Sequence, residues 1–189
     1  HAEEAARQGA VAIVGKRQNL SELAGVPYLH SENPRQTLGL LAHRIAGDPS
    51  KSMTVIGITG TNGKSSTAIL TQHVLKTCGC PAACFGTLGY TITGETLAAK
   101  HTTPFGDELA AMFARAHRAR QSHLVMEVSS HALAQDRVAG IDFDVAAFTN
   151  LTQDHLDYHQ DMEAYGAAKR LLFERLESPG RFTVVNRED

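Results

Sequence analysis

Seven consecutive residues, Gly60-Thr61-Asn62-Gly63-Lys64-Ser65-Ser66, carry the most legible chemistry in this chain. The glycines let backbone N–H groups turn toward anionic oxygens. Lys64 supplies a mobile positive charge, and the hydroxyl of Ser65 is a ligand for a divalent cation. Together they describe a cradle for the phosphates of a nucleoside triphosphate, with Lys64 reaching the β- and γ-phosphates and Ser65 meeting Mg²⁺. Longer loops of this kind begin with a glycine five residues before Gly63; Ile58 stands there, which leaves the shorter G-x-x-G-K-S.

Further reactive side chains gather in four segments. In Met126-Glu127-Val128-Ser129-Ser130-His131, Glu127 ends an apolar run, where an unpaired carboxylate is costly. It reads as a solvated strand terminus or, beside a phosphate loop, as a partner of Mg²⁺. The stretch Phe148 to His159 is dense in metal- and phosphate-binding groups. Its His155 and His159 are four apart, a spacing that on a helix puts both on one face. Zinc would need a third ligand at a recognisable spacing, which is lacking. One imidazole helping to hold a metal–nucleotide complex fits better, and a polar surface loop is the alternative. Lys169 falls on the apolar stripe of Met162, Tyr165, Leu172 and Leu176, in a helix predicted over 161–177. It reads as a lysine laying its methylenes along the core with its ammonium in water, or as a buried amine of depressed pKa. A neutral amine can add CO₂ to form a carbamate, a carboxylate on a long arm, although spacing alone does not supply that step. His101-Thr102-Thr103-Pro104 is a helix-start turn or a receptor for an anionic or sugar ligand. Gln135 and Arg137 are an amide and a guanidinium on an exposed helix or loop.

These groups need elements to hold them. Met53 to Thr59 is β-branched and reads as a buried strand, and Ser65 to Cys78 as the helix after the loop. Further strands are predicted at 82–86, 123–128, 144–149 and 181–186, with a turn or hairpin at 86–94. A helix over 106–120 puts Leu109, Met112, Phe113 and Ala116 on one face. Apolar strands alternating with helices predict an α/β fold, a mostly parallel sheet covered on both faces, with ligands at the carboxyl ends of its strands. Upstream, residues 1–8 read as helix, and 9–14 and 26–29 as strands. Asn33-Pro34 is a helix start, with Leu38, Leu41, Ala42 and Ile45 on the helix's apolar face. Residues 47–51 are the best linker. So 1–50 reads as a small α/β piece and 51–189 as the nucleotide domain.

The bulk properties are those of an ordinary globular protein. The 189 residues are 42% hydrophobic and 20% charged, with a net charge of −2. That balance gives no electrostatic reason for a nucleic-acid or anionic-membrane partner. No apolar run reaches the length of a membrane span, and no signal peptide is recognisable. The first residue, His1, already lies in a helical pattern, which reads as a chain missing its natural start. Cys78, Cys80 and Cys84 are an odd set in apolar surroundings; they read as buried thiols in a reducing compartment.

The phosphate loop, Thr102-Thr103-Pro104, Glu127-Val128-Ser129-Ser130-His131, Phe148-Thr149-Asn150-Leu151, Asp154-His155-Leu156-Asp157-Tyr158-His159 and Tyr165-x-x-x-Lys169 together resemble the Mur ligase family. These are the ATP-dependent amide-forming enzymes of peptidoglycan precursor synthesis, and the resemblance covers about 53–189. The Ser-Ser-His and Asp-His-Leu-Asp-Tyr-His segments resemble the branch that adds the third residue of the stem peptide. The resemblance implies that Gly60, Thr61, Asn62, Gly63, Lys64, Ser65 and Ser66 cradle ATP. It implies Mg²⁺ ligation by Ser65, Glu127, His155 and a carbamate on Lys169, with Lys64, Glu127, His155 and Lys169 serving catalysis. His101, Thr102, Thr103, Ser129, Gln135 and Arg137 match positions that bind UDP-N-acetylmuramoyl-L-Ala-D-Glu. It also implies an amino-acid co-substrate, an acyl-phosphate intermediate, a cytoplasmic monomer, a partial uridine-binding domain in 1–50, and a C-terminal amino-acid-binding domain beyond residue 189. A fragment lacking those parts is expected not to ligate alone. Two alternatives remain: a folylpolyglutamate-synthase-like ligase, which shares the Gly-Thr-Asn-Gly-Lys loop, and a P-loop module whose ATP regulates a partner.

Overall fold

A computed structural model describes residues 1–189 except Glu177, Ser178, Glu188 and Asp189. Residue 177, the predicted end of the last helix, lies outside the described residues; that helix ends at Glu174, with Arg175 as its C-cap. The chain opens with α1 (Ala2–Arg7) and a small three-stranded sheet of β1 (Ile13–Gly15), β2 (Glu22–Leu23) and β3 (Val26–His30), in the order β1-β3-β2. Helix α2 (Pro34–Ile45) follows, with Asn33 as its N-cap: the side-chain oxygen of Asn33 accepts from Gln36 N, and proline occupies the first turn. The linker candidate is folded. Pro49–Ser52 forms a 3-10 turn in which Pro49 and Ser50 are buried.

The larger sheet has seven strands: β4 (Thr54–Thr59), β5 (Ala82–Gly86), β6 (Gly89–Ile92), β7 (Glu95–Leu97), β8 (His123–Glu127), β9 (Val145–Phe148) and β10 (Phe182–Val185). Their order is β10-β9-β4-β8-β5-β6-β7. The first five in that order run parallel, and β6 and β7 add an antiparallel hairpin at one edge. This is the predicted mostly parallel sheet, with its hairpin at the predicted place.

Helices α3 (Lys64–Thr77), α4 (Gly106–Arg118), α5 (Ser130–Ala134), α6 (Leu156–His159) and α7 (Met162–Glu174) complete the domain. The alternation of the strands sorts the core into two layers. Val55, Leu124 and Met126 face a large cluster with Leu109, Phe113, Phe143 and Leu172. Ile58, Val125 and Cys84 face the opposite way, toward Ala68. The predicted face of α4 is buried as expected, since Leu109, Met112, Phe113 and Ala116 all lie in the core.

Three sequence expectations fail. On α2, Leu38 and Leu41 are 47% exposed and Ile45 is 85% exposed, whereas Gly39 and His43 are the buried residues. The helix docks through its smallest side chain, because a Cβ on Gly39 would meet the backbone oxygen of Ala139 and a Cβ on Gly106 would meet Gly39 Cα. Close backbone approach, and not the leucine stripe, sets its face. The cysteines do not share one environment either: Cys84 is buried, Cys80 intermediate and Cys78 exposed. Burial pushes the Cys84 thiol up to about 11. Finally, His155 is not on a helix with His159. It precedes α6 with φ 53, a left-handed backbone that breaks the helical register. Among the described residues no helix is long and apolar enough to cross a membrane.

Candidate active site

Strand β4 delivers Thr59, buried, to the carboxyl edge of the sheet, and the phosphate loop begins at the next residue. Gly60 has φ 142, and a Cβ there would collide with Thr149 Oγ1, so only glycine fits this turn. The loop is sewn to the segment after β9. Thr61 N donates to Asn150 O and Asn62 N to Asn150 Oδ1, both at 2.8 Å. Thr149 Oγ1 donates to Asn62 O at 2.7 Å, and Thr152 N donates to Thr61 Oγ1 at 3.0 Å. Helix α3 starts at Lys64, so its N-terminus, with its partial positive charge, opens onto the loop.

Two lysines converge on one carbonyl. Lys64 Nζ donates to Gly60 O at 2.9 Å and Thr61 O at 2.7 Å. Lys169 Nζ donates to the same Gly60 O at 2.8 Å and sits 4.1 Å over the Tyr165 ring. Lys169 is 2% exposed, so it is a buried amine and not a snorkelling one. Burial, then the charge of Lys64, pulls its pKa down to about 7, against the opposing pull of Asp154. Burial also lowers Lys64, while Glu127 and Asp154 raise it.

Glu127 is 2% exposed and fully engaged. Ser65 Oγ donates to its Oε2 at 3.0 Å, and Thr87 N donates to its Oε1 at 2.9 Å. This excludes the solvated-terminus reading. Thr87 Oγ1 also lies 3.0 Å from Thr102 Oγ1, which joins the 101–104 loop to the same wall. The cleft, roughly 280 Å³, is lined by Gly60 through Ser65, Thr87, Thr102, Glu127, Ser129, Ser130, His155, Tyr165 and Lys169. Sequence reasoning missed Thr87, Ser130 and the hydroxyl of Tyr165 as members. Thr87 carried no signal, since only the fold brings it beside Glu127, 40 positions away.

Several expected residues lie outside this cleft. Ser66 is exposed on α3. The Thr103 hydroxyl is spent in the framework: it donates to Glu127 O at 2.9 Å and accepts from Ser129 N at 3.1 Å. His101 is exposed, its ring edge-on to Phe105 at 5.4 Å, and its backbone bonds the Tyr90 hydroxyl. Gln135 and Arg137 are part-buried, not exposed. Gln135 Oε1 accepts from Arg137 Nε at 3.0 Å and Nη2 at 2.7 Å, and Arg137 Nη1 donates to Thr103 O at 3.0 Å.

Beyond His155 the imidazoles cluster edge to face. His131 lies 4.8 Å from His155, 5.4 Å from His159 and 4.2 Å from Tyr158, centroid to centroid. His159 is buried, with its Nε2 2.9 Å from Ser130 Oγ. Burial, then neighbouring positive charge, lowers the pKa of both His131 and His159. Among the described residues no group of three or more His, Cys, Asp or Glu is arranged to hold a metal.

This cleft suits a polyphosphate. The hydrogen-bond partners of Lys64 are carbonyl oxygens, so its positive charge is available to an anion, while Lys169, held by Gly60 O with its pKa lowered to about 7, is available as a neutral amine. Ser65 and Glu127 offer hard oxygen donors side by side, the type Mg²⁺ takes. Mg²⁺ is commonly held by one or two carboxylates plus phosphates and waters, so it needs no ready-made protein cage.

Comparison with known proteins bears on this arrangement. The chain is 45% identical over 189 residues to the UDP-N-acetylmuramoyl-L-alanyl-D-glutamate–2,6-diaminopimelate ligase of Solibacter usitatus, covering 100% of this chain and 38% of that protein. The solved structure of an enzyme of the same name superposes with a TM-score of 0.85 at 30% identity, covering 100% of this chain and 37% of that one. A Mycobacterium tuberculosis folylpolyglutamate synthase complexed with ADP and AMPPCP shares the fold, with a TM-score of 0.68 at 22% identity over 82% of this chain and 42% of its own. The chain thus spans well under half the length of the relatives it matches. The Mur ligase middle domain matches residues 58–189. A match running from within β4 to the last residue makes the family plain: this chain belongs to the Mur ligases.

Proposed function

We propose that this chain carries the ATP site of a ligase that joins an amino acid to UDP-N-acetylmuramoyl-L-Ala-D-Glu in peptidoglycan precursor synthesis. The observation that carries the reading is the convergence of Lys64 and buried Lys169 on Gly60 O, opposite the Ser65–Glu127 pair. Identity of 45% to a diaminopimelate ligase supports the substrate class. Residues 1–50 are read as part of a uridine-nucleotide-binding domain and 51–189 as the ATPase domain, with the incoming amino acid selected elsewhere. The enzyme is read as a cytoplasmic monomer.

The chain's own residues define the chemistry. The 60–66 loop binds the phosphates, and Lys64 leaves its two carbonyls for the β- and γ-phosphates. Ser65, Glu127, His155 and a carbamate on Lys169 would hold Mg²⁺, which when bound supplies charge neutralisation at the phosphoryl oxygens. Carbamate formation needs the neutral amine, and a Lys169 pKa lowered to about 7 makes that form abundant at neutral pH. The terminal carboxylate of the dipeptide attacks the γ-phosphorus and ADP leaves, giving an acyl phosphate. The amine of the incoming amino acid attacks that carbonyl carbon, phosphate leaves with the C–O electrons, and the amine loses a proton. Thr102 and Ser129 line the cleft where the muramoyl dipeptide would lie. Gln135 and Arg137 stand further along, and His101 and Thr103 contribute through the loop they shape.

A folylpolyglutamate-synthase-like activity has fold similarity alone behind it, at 22% identity. Nothing favours a purely regulatory ATP module. Calorimetry on the full-length protein separates the three readings. Binding of the UDP-muramoyl dipeptide with no binding of folate is expected. Folate binding without dipeptide binding would reverse the choice between ligases, and nucleotide binding alone would favour the module.

A further inference from the structure

Phe105 is an exposed aromatic residue, 41% accessible, on the loop just before α4. The guanidinium carbon of Arg137 lies 4.2 Å from its ring centroid. Around that contact Arg137 is tied on two sides. Its Nε and Nη2 share Gln135 Oε1, its Nη1 reaches Thr103 O, and Gln135 Nε2 in turn donates to the Tyr158 hydroxyl at 3.1 Å. Three of the five N–H donors of a guanidinium are thereby used, and two are left for a ligand. Burial, then the charge of Arg35, depresses Arg137, so this cation is held against repulsion and partial desolvation. A neighbouring cavity lined by Lys16, Asn33, Arg35 and Gln135, with Glu32 and Asp136, opens beside it.

We propose that Phe105 is a positioning residue: its ring pins the Arg137 guanidinium flat, so that the two unused donors face an anionic group of the UDP-muramoyl dipeptide. This inference rests on the functional reading above. A planar cation held on two sides, by Gln135 Oε1 and Thr103 O, still rocks about those contacts unless a face is supported. The ring supports that face and attracts the charge through its quadrupole. Its exposure is the cost of placing it there.

The test is steady-state kinetics on the full-length protein. Phe105→Ala is expected to raise KM for the dipeptide about three- to tenfold, the span that exposed to half-buried cation–π contacts produce. Its kcat and its KM for ATP should stay within about twofold, because the contact acts on binding. Phe105→Tyr and Phe105→Trp should keep the wild-type KM, whereas Phe105→Leu, which fills space without a π face, should behave like alanine. In an Arg137→Ala background, Phe105→Ala should add nothing. An unchanged KM in Phe105→Ala, rescue by leucine, or a loss shared by kcat and the KM for ATP together with a lowered melting temperature would each overturn the proposal. Failure of the functional reading would look different: the wild-type protein itself would form no amide.

Discussion

Gly60 and Lys169 show what single residues contribute. Gly60 combines a left-handed φ of 142 with a Cβ position already filled by Thr149, so any side chain displaces the loop from the 149–152 segment. Gly60→Ala is expected to weaken ATP binding at least about tenfold, a loss of roughly 1.4 kcal/mol. Calorimetry reads this directly, and unchanged affinity would show that the loop tolerates the displacement. Lys169 was legible as a lysine on an apolar stripe, and the structure decides between its two readings by burying it against Tyr165 and Gly60 O. Lys169→Ala is expected to abolish amide formation in the full-length protein, with partial rescue by added short carboxylates that replace the carbamate. Wild-type turnover in the variant would remove the carbamate from the account. Thr87 was illegible because a small hydroxyl residue next to a strand end has no distinctive pattern, and Ser130 stood in the Ser-Ser-His segment without a role of its own. Only the packing of β5 beside β8 puts Thr87 on Glu127.

Helix α2 shows where reading by periodicity breaks down. Leu38, Leu41, Ala42 and Ile45 have helical spacing, yet contact with α4 runs through Gly39, Gly106 and His43. Hydrophobic spacing measures which residues avoid water; it cannot register that two backbones approach closely enough to need glycine. Gly106→Ala would place its methyl against Gly39 Cα, which is backbone and cannot swing away. A destabilisation of about 1–3 kcal/mol is expected, measurable by urea unfolding. His43 has no exposed surface, its ring nitrogens find no partner, and it stands edge-on to Phe113 at 5.5 Å. Burial drives its pKa down to about 4, against a weaker pull upward from Asp48. The unfolded chain therefore binds the proton more tightly than the folded one. The stability tied to this residue is complete above about pH 6.5 and is lost as pH falls toward 4, by on the order of 3 kcal/mol. His43→Leu should keep its stability at pH 7 and lose the part of the acid sensitivity between pH 6.5 and 4. An unaltered acid profile in that variant would show that other groups set it.

Seen as one body, the molecule is a parallel sheet with its chemistry gathered at one edge. The phosphate loop follows β4, Thr87 follows β5, Ser129 and Ser130 follow β8, and Asn150 and His155 follow β9. All four strands run parallel, so all four carboxyl ends open on the same side. That placement is what strand–helix alternation predicts, and it explains why the sheet and most of the cleft were readable in advance. The packing of His131, edge-on to His155 and tilted against Tyr158, was not readable, because it depends on the left-handed turn at His155. On the function proposed above, the arrangement serves one act, ATP-driven activation of a carboxylate, and oxygen-isotope transfer tests that proposal most directly. The full-length protein would be given ATP, the incoming amino acid, and UDP-muramoyl dipeptide carrying ¹⁸O in its terminal carboxylate. The account predicts one ¹⁸O atom in each phosphate released as amide forms, because the carboxylate oxygen attacks phosphorus and leaves with it. Phosphate free of ¹⁸O would mean that water takes the phosphoryl group, and would contradict the account.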